Sequence, residues 1–443
     1  MIKKTILLKL TVIVSVCCMA VTLHAQDTLR LTLDEALQIA LSENLTVKVA
    51  DKEISRTGYA KKGAYAALYP QIEFSANYQR SIKKQTMYIE GEAIQFGMDN
   101  SWSTGFNLGM PLVSATLWKS LKISAMDVEL SVEKARASRI ELIEQVQQAF
   151  YGTLLAMDSY IVYKENYDNT VRSYNETKDK YRNGKVSKYD FIRTEVAMKN
   201  AEPAVYDALN NIFLAQWKLK ALIGIDLNTN IACVGGLYDY RDMLVKVTGN
   251  ENISLENNTD LRQLEMQMGI LDQTYKMQLA KFYPSLNLSL SWQWNAMTNN
   301  FKFSTFKWNP YSIGGLSLVI PIFSGGERYY SLKQTRVQQE QLKLQEEDLR
   351  RGLEVQVKQL LNTLETSTLQ FSASQSGIEG AETGYMIAEK RYEVGSGTLL
   401  ELDDARLALV QARMNLNQSI YNYLVAKSSL EKVIGEVTIL NQK

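Results

Sequence analysis

The sequence is poor in the residues that most often carry chemistry. Among 443 residues it has one histidine, three cysteines and six prolines. The histidine, His24, lies at the end of an N-terminal stretch, residues 1–25, in which two lysines precede an apolar run. Positive charge, an apolar run and a small residue at Ala25 are together typical of a cleaved secretory signal. The alternative is a retained membrane anchor, although the apolar run is short and interrupted for that role.

Cleavage after Ala25 leaves a mature chain without histidine, the commonest general base and the commonest metal ligand. Cys17 and Cys18 leave with the signal, and Cys233 alone cannot form an internal disulfide. We interpret Cys233 as an inert thiol. We predict no catalytic residue, no metal site and no cofactor, and a fold stabilised by packing and assembly.

Neither sign of charge is in excess. Removing Lys3, Lys4 and Lys9 from the 49 basic residues leaves 46, against 48 acidic residues. This near balance gives no support for a nucleic-acid partner, which would need a basic surface. A hydrophobic content of 46% with 22% charged residues describes a chain that buries a core.

What the mature sequence does contain is an internal duplication. Short segments recur in the same order, between 210 and 214 residues further on. The matched segments include Tyr69-Pro70 with Tyr283-Pro284, Met110-Pro111 with Ile320-Pro321, and Tyr181 to Gly184 with Tyr392 to Gly395. We place repeat 1 at residues 26–225, a linking segment at 226–256 and repeat 2 at 257–443.

Each repeat is predicted to contain a helix, two strands, a long helix and a shorter helix. In repeat 1 a capping box at Thr32 and Glu35 opens a helix that we extend to about Leu68. The predicted long helices cover residues 115–182 and 327–392, and the shorter ones cover about 189–222 and 400–433. A continuous helix of the longer kind would span about 100 Å at 1.5 Å per residue.

Apolar residues recur every eleven positions along the long helices. Leu121, Val132, Ile143 and Leu154 form one such row, and Leu342, Leu353 and Leu364 form its counterpart in repeat 2. Eleven residues over three turns predict nearly straight helices, because the spacing is close to that of an unwound α-helix. An ordinary coiled coil with imperfect heptads is the alternative.

The predicted strands alternate apolar and polar residues with a period of two. They cover residues 72–79 and 102–110, joined by a loop, and residues 286–294 and 311–320. Either an outer-membrane barrel or a soluble sandwich fits this alternation. Aromatic residues near strand ends on the apolar side favour the barrel, because they form interfacial belts in membranes. We assign to this aromatic girdle Tyr78, Trp102, Trp292, Trp294 and Tyr311.

Four strands are too few to close a barrel. Lipid tolerates no open sheet edge, so a spanning barrel would have to be shared between chains. Three chains would supply twelve strands. The sequence therefore predicts a barrel shared between chains and in contact with outer-membrane lipid, if the strands span a membrane.

Several motifs resemble those of the TolC-like outer membrane efflux protein family. They lie at residues 31–37, Tyr69-Pro70, Met110-Pro111-Leu112, residues 320–326 and residues 391–398, in the family's order. The resemblance implies a mainly α fold with a transmembrane β portion. In a homotrimer, the two tandem repeats of each chain would build a periplasmic helical tunnel, and four strands per chain would build a shared 12-stranded barrel. It also implies a passive exit duct, with a periplasmic adaptor protein and an inner-membrane pump as partners.

The resemblance also places a gate at the periplasmic end of the tunnel. The family's gate acids fall on Glu401 and Asp404, and a tyrosine of its latch falls on Tyr392. Spacing of three residues puts both carboxylates on one helix face. The latch arginine of the family falls on Gly397, so we expect an acidic ring without that arginine.

In repeat 1 the equivalent positions are Asp190 and Arg193, which we expect to pair across the helix interface. The alternative for the acids at 401, 403 and 404 is that they only favour a helix N-terminus. Two other classes of protein remain open. One is a periplasmic or surface structural coiled-coil protein, and the other is an exported hydrolase that uses carboxylates alone.

Overall fold

The computed structural model describes residues 28–89, 91–244, 253–302, 304 and 306–436. The expected signal, residues 1–25, lies outside the described residues. The chain forms two compact units: unit 1 comprises Met1–Lys48, Arg139–Ser254 and Val355–Lys443, and unit 2 comprises Val49–Ser138 and Leu255–Glu354. Each unit takes segments from both predicted repeats. The repeat boundaries stay a prediction.

The described elements follow one another in a repeating order of helices and strands. They are β1 (Leu29–Leu31), α1 (Leu33–Glu43), α2 (Leu45–Ala66), β2 (Gln71–Arg80), β3 (Gln85–Ile89), β4 (Glu92–Phe96), β5 (Asn100–Val113), α3 (Ala115–Arg182), α4 (Lys188–Ile223), β6 (Ile231–Cys233), a 3₁₀ helix (Leu237–Met243), α5 (Thr259–Ala280), β7 (Ser285–Thr298), β8 (Asn309–Val319), α6 (Glu327–Glu393) and α7 (Leu399–Ile434). The predicted fold class, mainly α with a smaller β portion, is confirmed.

The long helices α3 and α6 agree with the predicted bounds to within one residue. The helix predicted from Leu33 to Leu68 is wrong, because it is divided at Asn44 into α1 and α2. The Asn44 side chain accepts from the backbone N–H of Thr46 at 2.7 Å and donates to the backbone carbonyl of Leu222 at 2.8 Å. An asparagine that bonds to nearby backbone in this way favours helix ends over helix interiors.

The core of unit 1 is built from apolar faces of α1, α3, α4 and α7. Its fully buried members include Leu37, Phe150, Leu219 and Ile420. The short strands β1 and β6 pair in parallel beside this core. Cys233 is buried there, and burial raises the pKa of its thiol to about 11, which agrees with an inert role.

The predicted eleven-residue rows are largely buried. Leu121, Ile143, Leu154, Leu353 and Leu364 are all less than 7% exposed. Val132 departs from the pattern, because it is 51% exposed in the single chain. The eleven-residue spacing therefore identifies buried positions in both long helices, with Val132 as an exposed exception.

Unit 2 contains a four-stranded antiparallel sheet in the order β2-β5-β7-β8. All four predicted strands are present. The loop predicted between β2 and β5 is wrong in part, because it contains the hairpin β3–β4. No helix among the described residues is long and apolar enough to cross a membrane.

The strand register sorts side chains onto two faces of the sheet. Trp102 lies opposite Tyr78 on one side and Ala296 on the other, which places the even-numbered residues of β2, β5 and β7 on one face. That face carries most of the apolar side chains, and the other carries serine, asparagine and glutamine. Tyr311 lies opposite Gln293 on the polar face, so its predicted place on the apolar side is wrong.

Candidate functional site

The candidate site in unit 1 lies where two helical turns bring the ends of α3 and α6 beside the starts of α4 and α7. Each turn has a glycine in the left-handed region, Gly184 at φ 68° and Gly395 at φ 77°. Capping boxes then open the next helices, at Ser187 with Asp190 and at Thr398 with Glu401. The turns are thus built from the same local chemistry.

Tyr392 joins the end of α6 to α3. Its hydroxyl lies 3.0 Å from the hydroxyl of Thr177, which is fully buried, and the ammonium of Lys180 lies 4.7 Å from the centre of its ring. Burial raises the pKa of Tyr392, and the nearby carboxylates of Asp190 and Glu176 raise it further. The neutral hydroxyl is therefore the stable form, and it bonds the two helices.

Arg193, Asp403 and Arg406 form a charged cluster in which Asp403 and Arg406 are buried and Arg193 is partly exposed. Arg193 Nε donates to Asp403 Oδ2 at 3.3 Å, and Arg406 Nη2 donates to Asp403 Oδ1 at 2.8 Å. Asp403 and Arg406 are 8% and 6% exposed. A buried ion pair needs good geometry to offset its desolvation, and Asp403 has an arginine on each oxygen.

Asp190 and Arg193, the two residues expected to pair across the helix interface, have different roles in the structure. Arg193 pairs across to α7, whereas Asp190 accepts from the hydroxyl of Ser187 at 2.7 Å and caps α4. Sequence reasoning missed Asp403 as the partner. Its spacing of three from Arg406 would have indicated an ion pair on one helix face.

Glu401 and Asp404 lie on the exposed surface of α7. Glu401 accepts from the backbone N–H of Thr398 at 3.0 Å, and Arg391 lies 3.9 Å away. The Thr398 bond, followed by the charge of Arg391, lowers the pKa of Glu401. This capping agrees with the helix-N-terminus interpretation of Glu401, while the role of both acids in a gate stays a prediction.

The glycine at position 397 is enclosed by its own turn. A Cβ placed there would lie 3.0 Å from Arg391 Cβ and 3.2 Å from the backbone nitrogen of Tyr392. A side chain at this position requires the neighbouring atoms to move by a few tenths of an ångström. The arginine that the resemblance places here would therefore crowd this turn. Arg193 brings a guanidinium to the cluster from another helix.

A second polar cluster lies further along the same helices. Arg413 of α7 bonds to Glu165 of α3 and, at 3.1 Å, to Glu382 of α6. Nearby, burial and the carboxylate of Glu389 raise the pKa of Tyr385 to about 12. Polar contacts therefore join helices of unit 1 at two levels. At the turns they join α3 to α6 and α4 to α7, and further along they join α7 to both α3 and α6.

Four residues of the predicted aromatic girdle share the apolar face of the sheet in unit 2. The rings of Tyr78 and Trp102 are 4.4 Å apart, and those of Trp292 and Trp294 are 5.6 Å apart. Phe301, which is not among the predicted girdle residues, packs edge-on against Tyr78 and Trp102. A membrane role for these aromatic residues stays a prediction.

The sequence matches the family model described as "Outer membrane efflux protein" over residues 36–225 and 252–436. Among similar proteins, the alkaline protease secretion protein AprF of Pseudomonas aeruginosa is 23% identical over 93% of this chain and 85% of that protein. Outer membrane protein TolC of Vibrio cholerae is 21% identical over 84% and 83%. The crystal structure of the Campylobacter jejuni CmeC outer membrane channel has a TM-score of 0.72 at 19% identity, covering 92% of this chain and 88% of that one.

The fold and the family match together define an outer-membrane protein with a helical portion and a β portion. The chain belongs to the outer membrane efflux protein family. This match confirms the resemblance drawn from the sequence motifs. It also confirms the predicted location of the protein in the outer membrane.

Proposed function

We propose that the chain is one of three identical subunits of an outer-membrane exit duct, which conducts cargo passively and catalyses no reaction. The sheet of unit 2 carries this proposal. Its outer strands, β2 and β8, each pair with only one strand within the described part of the chain. Because lipid leaves an open edge unsatisfied, a sheet of this kind closes in a membrane only with other chains.

The exposed apolar face of the sheet supports the proposal that lipid surrounds the sheet. Ile72, Phe74, Leu316 and Leu318 are each more than 60% exposed. Water penalises exposed apolar area by about 25 cal/mol per Å². Lipid removes this penalty, whereas a periplasmic structural coiled-coil protein would leave the face in water.

Three copies would contribute twelve strands from β2, β5, β7 and β8. Such a barrel would have an apolar outer face and a polar inner face, as outer-membrane channels require. The helices would continue the duct into the periplasm, where an adaptor protein and an inner-membrane pump would supply cargo and energy. The protein similarity to AprF and TolC supports this class of assembly.

We place the gate of this duct at the turns of unit 1. Tyr392 with Thr177, and Arg193 with Asp403, would hold α6 and α7 against α3 and α4 in the closed state. Glu401 and Asp404 of three chains would place six carboxylates around the aperture, which would favour cations.

The experiment is to express the full chain with its leader, fractionate the membranes and determine the mass of the native protein. We expect outer-membrane protein that needs detergent for extraction and has three times the mass of the chain. A monomer that is released without detergent would contradict the proposal and favour the structural coiled-coil protein.

A further inference from the structure

The polar face of the four-stranded sheet is almost free of charge. Across the full lengths of β2, β5, β7 and β8, only Glu73 and Arg80 are charged, and both belong to β2. They are seven positions apart, so they point to opposite faces, and about 23 Å separates them at the rise of a β-strand. Glu73 is therefore alone on its face.

The strand register fixes the face that Glu73 occupies. Glu73 lies opposite Asn107 of β5, and Asn107 lies opposite Ser291 of β7. Both are polar-face residues. Arg80 instead lies opposite Asn100, on the face that carries Trp102. The arginine thus has no position from which to neutralise the glutamate.

The neighbours of Glu73 on this face bond to one another. The side-chain oxygen of Asn107 accepts from Ser291 at 2.9 Å and from Gln293 at 3.3 Å, and its amide nitrogen donates to Ser75 at 3.4 Å. Gln293 in turn accepts from the hydroxyl of Tyr311. These contacts form a neutral belt of amides and hydroxyls across the four strands, defined by Ser75, Asn107, Ser291, Gln293 and Tyr311.

Glu73 takes no part in this belt. Among the described residues its carboxylate has no hydrogen-bond partner and no ion-pair partner, and it is exposed. A carboxylate in this setting is available to mobile ions. Its field acts on them without competition from a fixed cation on the same face of the sheet.

We infer that Glu73 gives the strand-lined part of the duct its preference for cations. The inference rests on the proposed function, because three chains around one axis would place three Glu73 carboxylates at one level of the polar inner face. These would form a second charged ring, distinct from the acids Glu401 and Asp404 of the helical part. Rings of acidic side chains are a known basis of cation selectivity in channels.

The test is the reversal potential of the full chain in planar lipid bilayers, measured across a KCl gradient at low ionic strength. For Glu73→Gln we expect the cation-to-anion permeability ratio to fall roughly two- to fourfold, because each carboxylate acts through water and salt screens it. Glu73→Lys should shift the ratio further towards anions. Glu73→Asp should retain the native ratio.

Glu92→Gln is the matched control, since Glu92 is an exposed acid of the same unit on strand β4, outside the sheet. It should leave the ratio close to native. The inference is overturned if Glu73→Gln and Glu73→Lys both keep the native ratio, while the native protein still forms trimeric channels. If the native protein forms no channel, the proposed function itself fails, and the inference fails with it.

Discussion

Arg193 of α4 donates to Asp403 of α7 across 210 positions of the sequence, at 3.3 Å. Asp403 also accepts from Arg406, so one carboxylate holds two guanidinium groups from two helices. The contact joins the two halves of the chain close to the turn that contains Gly397. It supplies an arginine at the proposed gate although the turn itself has none.

Loss of Asp403 should destabilise unit 1. Asp403→Ala leaves the buried Arg406 and the half-buried Arg193 without their carboxylate, and breaking a buried pair in this way costs about 3 kcal/mol. Chemical denaturation in detergent, followed by circular dichroism, measures the change. Asp404→Ala is the control, because Asp404 is exposed on the same helix, and its effect should stay within about 0.5 kcal/mol. Equal losses in the two variants would contradict the assignment.

Arg193→Ala should act on the gate more than on stability. Asp403 keeps Arg406 in this variant, so the cost should be about 1 kcal/mol, while the contact between α4 and α7 is lost. In single-channel recordings we expect a larger fraction of time in open states than in native protein. Tyr392→Phe, which removes the bond to Thr177, should act in the same direction. Native gating in both variants would exclude these contacts from the latch.

The stability of unit 1 should fall at alkaline pH. Tyr385 has a pKa of about 12 in the folded chain, raised by burial, against about 10 for an unperturbed tyrosine. Between these values the unfolded chain loses a proton that the folded chain keeps, so stability decreases as pH rises from 10 to about 12.

The loss of stability is measured as the melting temperature at a series of pH values from about 9 up to the Tyr385 pKa of about 12. Tyr385→Phe has no phenol at this site, so its melting temperature should fall less steeply over the same range. Tyr189→Phe, at an exposed tyrosine, is the control and should follow the native curve. Identical slopes for native protein and Tyr385→Phe would refute the prediction.

Introducing the arginine of the family pattern at position 397 should destabilise this protein. Gly397→Arg places a Cβ 3.0 Å from Arg391 Cβ, and crowding of this kind costs about 1–3 kcal/mol. Gly377→Ala is the contrasting variant, since a Cβ there meets nothing within 4 Å in the middle of α6, and it should stabilise by about 0.5–1 kcal/mol. Denaturation midpoints of both variants decide the matter. A stabilised Gly397→Arg would show that the turn accommodates the arginine.

The sequence predicted the long helices because their apolar periodicity extends over many turns, and it predicted the start of α1 from the capping residues Thr32 and Glu35. It failed where a single side chain or a pairing decides the structure. Asn44 divides a helix by bonding to Leu222, a contact 178 residues away. Tyr311 lies on the polar face because apolar residues in β8 occupy both faces, with Ile313 on one and Leu316 on the other.

The candidate site was predicted in position but not in its pairing. The resemblance to the family predicted a gate at the turn after Tyr392, with Glu401 and Asp404 as its acids. The buried acid, however, is Asp403, and burial depends on how α4 and α7 pack, which no local pattern encodes. The role of Asp190 as a cap follows from Ser187, three residues earlier, and was readable from the sequence.

The central claim, that neighbouring chains close the sheet, is tested most directly by disulfide cross-linking of the two outer strands. Ser75→Cys on β2 is combined in turn with Gly315→Cys and Ser317→Cys on β8, and outer membranes are oxidised and analysed without reductant. Within one chain β2 and β8 lie three strand spacings apart, about 14 Å, which is too far for a disulfide. We expect covalent dimers and trimers from at least one pair and none from the single variants. Folded outer-membrane protein that stays monomeric with every pair would contradict the shared sheet.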